Sequence, residues 1–414
     1  MRVCLICLNY PPEPTGVAVY TGALADDLAE RDADVRVITG VPHYPQWHVY
    51  NGYSKSCIEI SDRLTVARRR HYVPTNPKLI NRLGMELTFG LNAVIARWNK
   101  PDVVVLVSPA LFSSILVALK AALRRRPVVV WVQDIYSLAI SQTGRSGSLG
   151  SKLLAGPERV LLNRARAVVV IHERFKRYLV AELAVDPEKV SVIRNWCHIG
   201  NPPSLPLISR AEMRRRLGWR DDVTVLLHAG NMGAKQALGN VVEASRVADQ
   251  RDEPMLFVLM GDGSQRAELE AMGTNRCLQI IDPLPLESFP AALCAADALL
   301  VNERGGITEM SVPSKLTSYF ASGRPIIAAT DAESVTAEEL ELSGAGIRVD
   351  AERPELLLKA ALELRNDPQR SVRLGASGLA FRNAHLKANA SLSAFHRLLS
   401  AVAASRPLSE SGAN

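Results

Sequence analysis

The stretch Leu227-His228-Ala229-Gly230-Asn231-Met232-Gly233-Ala234-Lys235-Gln236 runs from an apolar segment into two glycines and a lysine ahead of a helix. Glycine lets backbone N–H groups reach an anion, and Lys235 adds a full positive charge. A diphosphate leaving group needs that combination. The alternative is a solvated lysine at a helix start, yet a cation there is unfavourable unless an anion is present. A second loop reads Glu309-Met310-Ser311-Val312-Pro313-Ser314-Lys315-Leu316 and continues to Gly323-Arg324-Pro325. Pro313 suits a first helical turn and Gly323 with Pro325 marks the stop, so a helix is expected to start at Ser314 and Lys315. Free N–H groups, a hydroxyl and an ammonium would then meet a second side of the same anion. A third loop, Pro11-Pro12-Glu13-Pro14-Thr15-Gly16, ends in a glycine just before a helix, and Gly16 is either a ligand-facing residue or a structural turn. The spacing G-x-G-x-x-G is missing there, which speaks against a dinucleotide fold of the dehydrogenase type.

Carboxylates stand at loop ends at Asp134, Asp262, Glu303 and Glu309. Asp134 follows the run Val128–Gln133, where it would orient a sugar hydroxyl or an acceptor, or else cap a helix. Asp262, within Gly261-Asp262-Gly263, reads as a turn residue. No Asp-x-Asp pair ends a strand, so no metal site is expected. The six cysteines are scattered; the odd offset of Cys4 and Cys7 within a strand turns them to opposite faces, as suits reduced core thiols.

The elements that must position these loops show in the alternation of apolar runs with helix-period segments. Val3–Leu8, Asp34–Thr39, Asp102–Ser108, Val128–Gln133 and Val168–Ile171 read as strands, with a helix at 17–31 showing an apolar stripe of Val19, Leu24 and Leu28. A proline-rich linker at Asn201–Pro206 follows, then strands at Val223–His228, Met255–Met260, Leu278–Ile281, Ala298–Asn302 and Pro325–Ala329. With 414 residues, this means an α/β chain of two Rossmann-like domains, expected at 1–200 and 201–385, their strand-end loops meeting at a cleft. After Asp350 the sequence reads as helical to about Ala404, with a break expected near Gly375 and Gly378 and a closing helix and tail over 386–414 that would cross back over the cleft. The run Val3–Leu8 is too short for a signal peptide, and no segment offers the length of apolar residues that a membrane span needs.

Beyond these loops, the chain carries Leu8-Asn9-Tyr10-Pro11-Pro12-Glu13, Tyr20-Thr21-Gly22, Pro42-His43-Tyr44-Pro45-Gln46-Trp47 with Gly52-Tyr53, Val132-Gln133-Asp134 and Arg194-Asn195-Trp196. In order and spacing it resembles the GT-B-fold, family-4 retaining glycosyltransferases, in particular the bacterial branch with colanic-acid fucosyltransferases and O-antigen aminosugar transferases. The resemblance implies an N-terminal domain that holds the acceptor, with His43, Tyr44 and Trp47 on the acceptor side. It implies a C-terminal domain that binds a nucleotide-diphosphate sugar, UDP- or GDP-linked, through Gly230, Asn231, Gly233, Lys235, Gly261, Pro313, Ser314 and Lys315, with Gly16 reaching the donor from the first domain. Glu309 falls near the family's first acidic position, which contacts the transferred sugar. The second acidic position falls at Ser318, and the arginine that many members carry in the phosphate loop is Asn231 here, which leaves more of the work to Lys235.

Catalysis would then rest on Lys235, Glu309 and Asp134, with no metal and no cofactor beyond the co-substrate. The formal net charge of +7 favours anionic partners. Basic residues stand beside apolar helical faces at Arg68-Arg69-Arg70-His71, from Lys78 to Lys100, and from Leu111 to Arg126. Such surfaces suit anionic lipid and a polyprenyl-linked acceptor, which would place the protein in the cytoplasm or peripherally on the inner face of the plasma membrane; core helices with solvated ends are the alternative. A nucleotide-sugar 2-epimerase of the same fold is the rival enzyme. No recognition helix, zinc motif or aromatic RNA motif supports a nucleic-acid partner.

Overall fold

The computed structural model describes residues 1–14, 16–76, 78–141, 148–197, 208–285, 287–306 and 314–405. The chain divides into two compact units, Met1–Asn195 with Asn389–Asn414, and Trp196–Ala388. The proline-rich linker, Glu309 and Pro313 lie outside the described residues.

In the first unit the strands are β1 (Arg2–Cys7), β2 (Asp34–Gly40), β3 (Cys57–Ser61), β4 (Leu64–Arg69), β5 (Val103–Val107), β6 (Val128–Val132), β7 (Ala167–Val170) and β8 (Val190–Val192). The helices are α1 (Val17–Glu30), α2 (Leu79–Ile95), α3 (Leu111–Leu123), α4 (Tyr136–Ser141), α5 (Ser148–Arg164) and α6 (Glu173–Ala181). One sheet runs in the order β3-β4-β2-β1-β5-β6-β7-β8, and only the β3–β4 pairing is antiparallel. The whole of β5, Val-Val-Val-Leu-Val, is buried, as expected of a parallel strand covered by helices on both faces. Strand β1 has β2 on one side and β5 on the other, so the connections leave it in opposite directions and open a crevice at its carboxyl end.

The second unit repeats the design with β9 (Thr224–Ala229), β10 (Met255–Met260), β11 (Leu278–Ile281), β12 (Ala298–Asn302), β13 (Ile326–Ala329) and β14 (Gly346–Val349) in the order β11-β10-β9-β12-β13-β14. Its helices are α7 (Arg210–Leu217), α8 (Gly239–Gln250), α9 (Arg266–Ala271), α10 (Phe289–Ala295), α11 (Lys315–Ser322), α12 (Val335–Ser343), α13 (Pro354–Asn366) and α14 (Pro368–His385). Alternate residues feed two apolar layers: Leu227, Val258 and Leu299 pack on one side of the sheet, Leu226, Phe257 and Leu300 on the other. Here the reversal falls between β9 and β12. The last helix, α15 (Ala388–Ala404), joins the first unit, where the Phe395 ring lies 4.7 Å from that of Trp131. No described helix is long and apolar enough to cross a membrane.

Several elements depart from the sequence reading. Gly375 and Gly378 do not break the C-terminal helix; they sit buried inside α14, where a Cβ on Gly375 would lie 2.0 Å from the Gly323 carbonyl oxygen and one on Gly378 3.0 Å from Ala345 Cβ. They are contact points for a helix packed on α11, and the interruptions fall at Leu386–Lys387, before the last helix, and at Asp367, whose side chain accepts the Arg370 N–H at 2.8 Å with Pro368 opening α14. Lys235 does not precede a helix directly. It lies in a single 3₁₀ turn, Ala234–Gln236, and α8 begins at Gly239. Arg68 and His71, grouped above with surface bases, are buried; Arg68 pairs with Glu59 at 2.6 Å. Cys57 is exposed on β3 rather than in the core.

Candidate functional site

In the second unit the loops after β9 and β12 meet at the sheet's reversal. The backbone of Gly230 is pressed against that of Gly261: Gly230 N–H donates to Met260 O and Met232 N–H to Asp262 O, both at 2.9 Å. A Cβ on Gly261 would stand 1.9 Å from Gly230 O, and one on Gly263 2.6 Å from Met232 O. All three glycines also have positive φ, at 133° for Gly230, 153° for Gly261 and 156° for Gly263. The Gly261-Asp262-Gly263 sequence thus serves the close approach of two loops, and Asp262 is a turn residue whose carboxylate accepts the Gly263 N–H at 2.8 Å. Asn231 and Gly233 are held by Gln236, whose Oε1 accepts the Gly233 N–H at 3.1 Å. Lys235 is exposed at the end of this loop.

As the sequence predicts, α11 begins at Lys315 with Ser314 as its N-terminal neighbour. Its start is fastened beneath the Gly230 loop because the Ala229 N–H donates to the Tyr319 hydroxyl at 2.8 Å. Lys315 Nζ then lies 3.3 Å from His228 Nε2 and 3.8 Å from the point a Gly230 Cβ would occupy. An ammonium only donates, so His228 Nε2 is the acceptor and the ring is neutral. Burial, then the Lys315 charge, holds the His228 pKa well below the usual imidazole value. Burial likewise lowers Lys315 to about 8, against the partial support of Glu303. Glu303, just past β12, is itself occupied by Thr330 and Thr336, whose hydroxyls donate to it at 2.6 and 2.7 Å. Lys315 has no ion pair among the described residues. Such a cation, next to glycine backbone and a helix start, suits an anion supplied from outside. His228 was not singled out by sequence; its signal was a histidine inside an otherwise apolar strand.

In the first unit Gly16 adopts φ 65° at the start of α1, and a Cβ there would touch Tyr44 at 3.7 Å. The residue that organises this end is Glu13, also missed by sequence. Its buried Oε1 accepts the His43 and Tyr44 N–H groups at 2.8 and 2.9 Å, and its Oε2 accepts from Asn9 Nδ2 at 2.8 Å. A carboxylate locked between prolines was the available signal. His43 is buried, with Nδ1 donating to Val41 O at 2.9 Å, so it is a loop anchor, whereas Tyr44 and Trp47 are partly open with rings 6.0 Å apart. The Arg82 guanidinium lies 5.1 Å from the Trp47 ring centroid. Asp134 is half-buried after β6, where its carbonyl accepts from Ser108 Oγ at 2.8 Å. The first amides of the following helix, Tyr136 and Ser137, donate to Glu158 at 2.8 and 3.0 Å. Nearby Glu86 accepts the Phe112 N–H at 2.9 Å, and burial pushes its pKa up to about 7.

Comparison with known proteins matches residues 15–196 to the glycosyl transferase 4-like domain and residues 223–367 to the glycosyl transferases group 1 family. WcaI of Escherichia coli (strain K12), described as a glycosyl transferase of colanic acid biosynthesis, is 32% identical over 374 residues, covering 86% of this chain and 90% of WcaI. Among solved structures, sucrose-phosphate synthase from Thermosynechococcus elongatus superposes with a TM-score of 0.74 at 16% identity, over 98% of this chain and 99% of that one. HepE of Anabaena, in complex with UDP, gives 0.70 at 14% identity, over 97% and 100%.

Proposed function

The chain belongs to the GT-B-fold, family-4 glycosyltransferases of polysaccharide biosynthesis, and from that premise we propose that it moves a sugar from a UDP- or GDP-linked donor to a glycan or polyprenyl-linked acceptor, with retention and without a metal ion. The observation that carries the reading is the half-buried Lys315, whose ammonium meets a neutral histidine under the Gly230 loop. HepE binds UDP and UDP-glucose on the same fold, which supports a nucleotide-sugar donor.

Departure of a nucleoside diphosphate leaves an oxocarbenium-like carbon and extra negative charge on the leaving oxygens. Stabilising that charge is usually the largest catalytic contribution. Lys315, Lys235 and the N–H groups at the start of α11 supply it here. The acceptor hydroxyl attacks from the face the diphosphate leaves, and a diphosphate oxygen takes its proton, so no enzyme nucleophile is required. Asp134 orients the acceptor hydroxyl, Glu309 contacts the transferred sugar, and Tyr44 with Trp47 forms the acceptor's aromatic wall. Work on a lipid-linked acceptor places the protein at the inner face of the plasma membrane.

A thermal-shift panel of UDP-, GDP-, ADP- and TDP-linked sugars in EDTA tests the donor site. A ligand at a hundred times its Kd stabilises the native state by about 2.7 kcal/mol. One base should raise Tm selectively, and the rise should be lost in Lys235→Ala; no rise with any donor would reject the reading.

A further inference from the structure

Helix α2 is apolar on two opposite sides. Met85, Phe89 and Ala93 are buried against the sheet side. At about 100° per residue, Ile80, Leu87, Leu91 and Ile95 fall within about 80° of arc on the other side. Their exposures are 77%, 37%, 55% and 80%. The stripe runs about 22 Å along the helix. Helix α3 widens it: Lys120 donates to Ala96 O at 2.9 Å, binding the two helices together, and Leu119 and Leu123, one turn apart, are 52% and 87% exposed. A surface helix ordinarily turns polar on its outer side, and an apolar face of this extent marks an interaction surface.

Charge selects the occupant. Residues 78–126 hold eight Lys and Arg against two carboxylates, Glu86, which is buried, and Asp102, which pairs with Arg2 at 3.0 Å. Lys78, Arg97, Lys100, Arg124 and Arg125, just beyond the ends of α2 and α3, are exposed. A second copy of this face would oppose like charges, whereas anionic headgroups would neutralise them. We infer that the outer face of α2 and α3 docks on an anionic bilayer, with the isoleucines and leucines entering the headgroup–acyl boundary and the surrounding cations meeting lipid phosphates.

The test is co-sedimentation of the full chain with vesicles of phosphatidylcholine with and without phosphatidylglycerol. The wild type should pellet with the anionic vesicles, less so in high salt, and remain free with phosphatidylcholine alone. Ile80→Ser with Leu91→Ser and Ile95→Ser should lower the partition coefficient about 100-fold, and Arg124→Glu with Arg125→Glu should abolish the preference for phosphatidylglycerol. Both variants change exposed side chains and should keep the donor-induced Tm rise, which checks folding. Failure of the wild type to pellet, or undiminished pelleting of the triple-serine variant, overturns the inference. So does a wild-type dimer that the triple-serine variant dissolves, since a second copy would then cover the face. Loss of the donor response with vesicle binding intact would count against the transferase reading alone.

Discussion

Raising the pH through 8 should remove the half-buried cation from the donor site, because desolvation sets the free-protein Lys315 pKa at about 8. A diphosphate beside it favours the charged form, so binding above that pH must take up a proton. The competent fraction is about nine-tenths at pH 7 and about one-tenth at pH 9, and apparent Kd scales inversely with it, giving a tenfold loss of affinity. Phosphate esters titrate near 6, outside this window. The same depressed pKa predicts the stability of the free protein: the unfolded chain binds the extra proton between about 8 and the ordinary lysine value of 10.5, so this group's contribution rises with pH across that window and is lost as pH falls through 8. Calorimetry with UDP or GDP in two buffers of different ionisation heat measures both affinity and proton uptake. Lys315→Arg, whose guanidinium stays charged, should flatten the profile. A wild-type Kd unchanged from pH 7 to 9, or an identical slope in the arginine variant, would refute the assignment.

Lys235→Ala should lower kcat at least about 100-fold, in the range found for single charge-stabilising groups, with Tm little changed because the side chain is exposed. Gly375→Ala should lower Tm despite alanine's better helix propensity, since the new Cβ would stand 2.0 Å from Gly323 O; a cost of about 1–3 kcal/mol is expected, read by denaturant unfolding. Glu13→Ala strands the His43 and Tyr44 amides, at about 1–3 kcal/mol for each buried donor left unpaired, and should raise the acceptor KM more than the donor KM in steady-state kinetics.

The sequence made the buried strands legible because a strand covered on both faces reads as an unbroken apolar run, as in Val103–Val107 and Met255–Met260. Strand β3 hides from that signal, since all five residues of Cys-Ile-Glu-Ile-Ser are exposed at a sheet edge. Strand β14 hides too, because it opens on Gly346, where a Cβ would strike Ile326 O at 1.9 Å, and carries an exposed arginine. The glycines of α14 misled for a related reason: local propensity favours a break, but close helix contact demanded residues without side chains. At the site, the start of α11 was legible from Ser314 and Lys315 at a proline-led turn. Glu13 and His228 were not, because each acts through partners distant in sequence: His43 and Tyr44 for the carboxylate, Lys315 for the imidazole.

Retention without a metal is tested most directly by the anomeric configuration of the transferred sugar, followed by proton NMR from the first turnovers in EDTA with the donor that the thermal-shift panel selects. Front-face attack without a metal gives a product with the donor's own anomeric configuration, formed at the same rate with and without the chelator. An inverted product, or turnover that stops in EDTA and returns with a divalent cation, would contradict it.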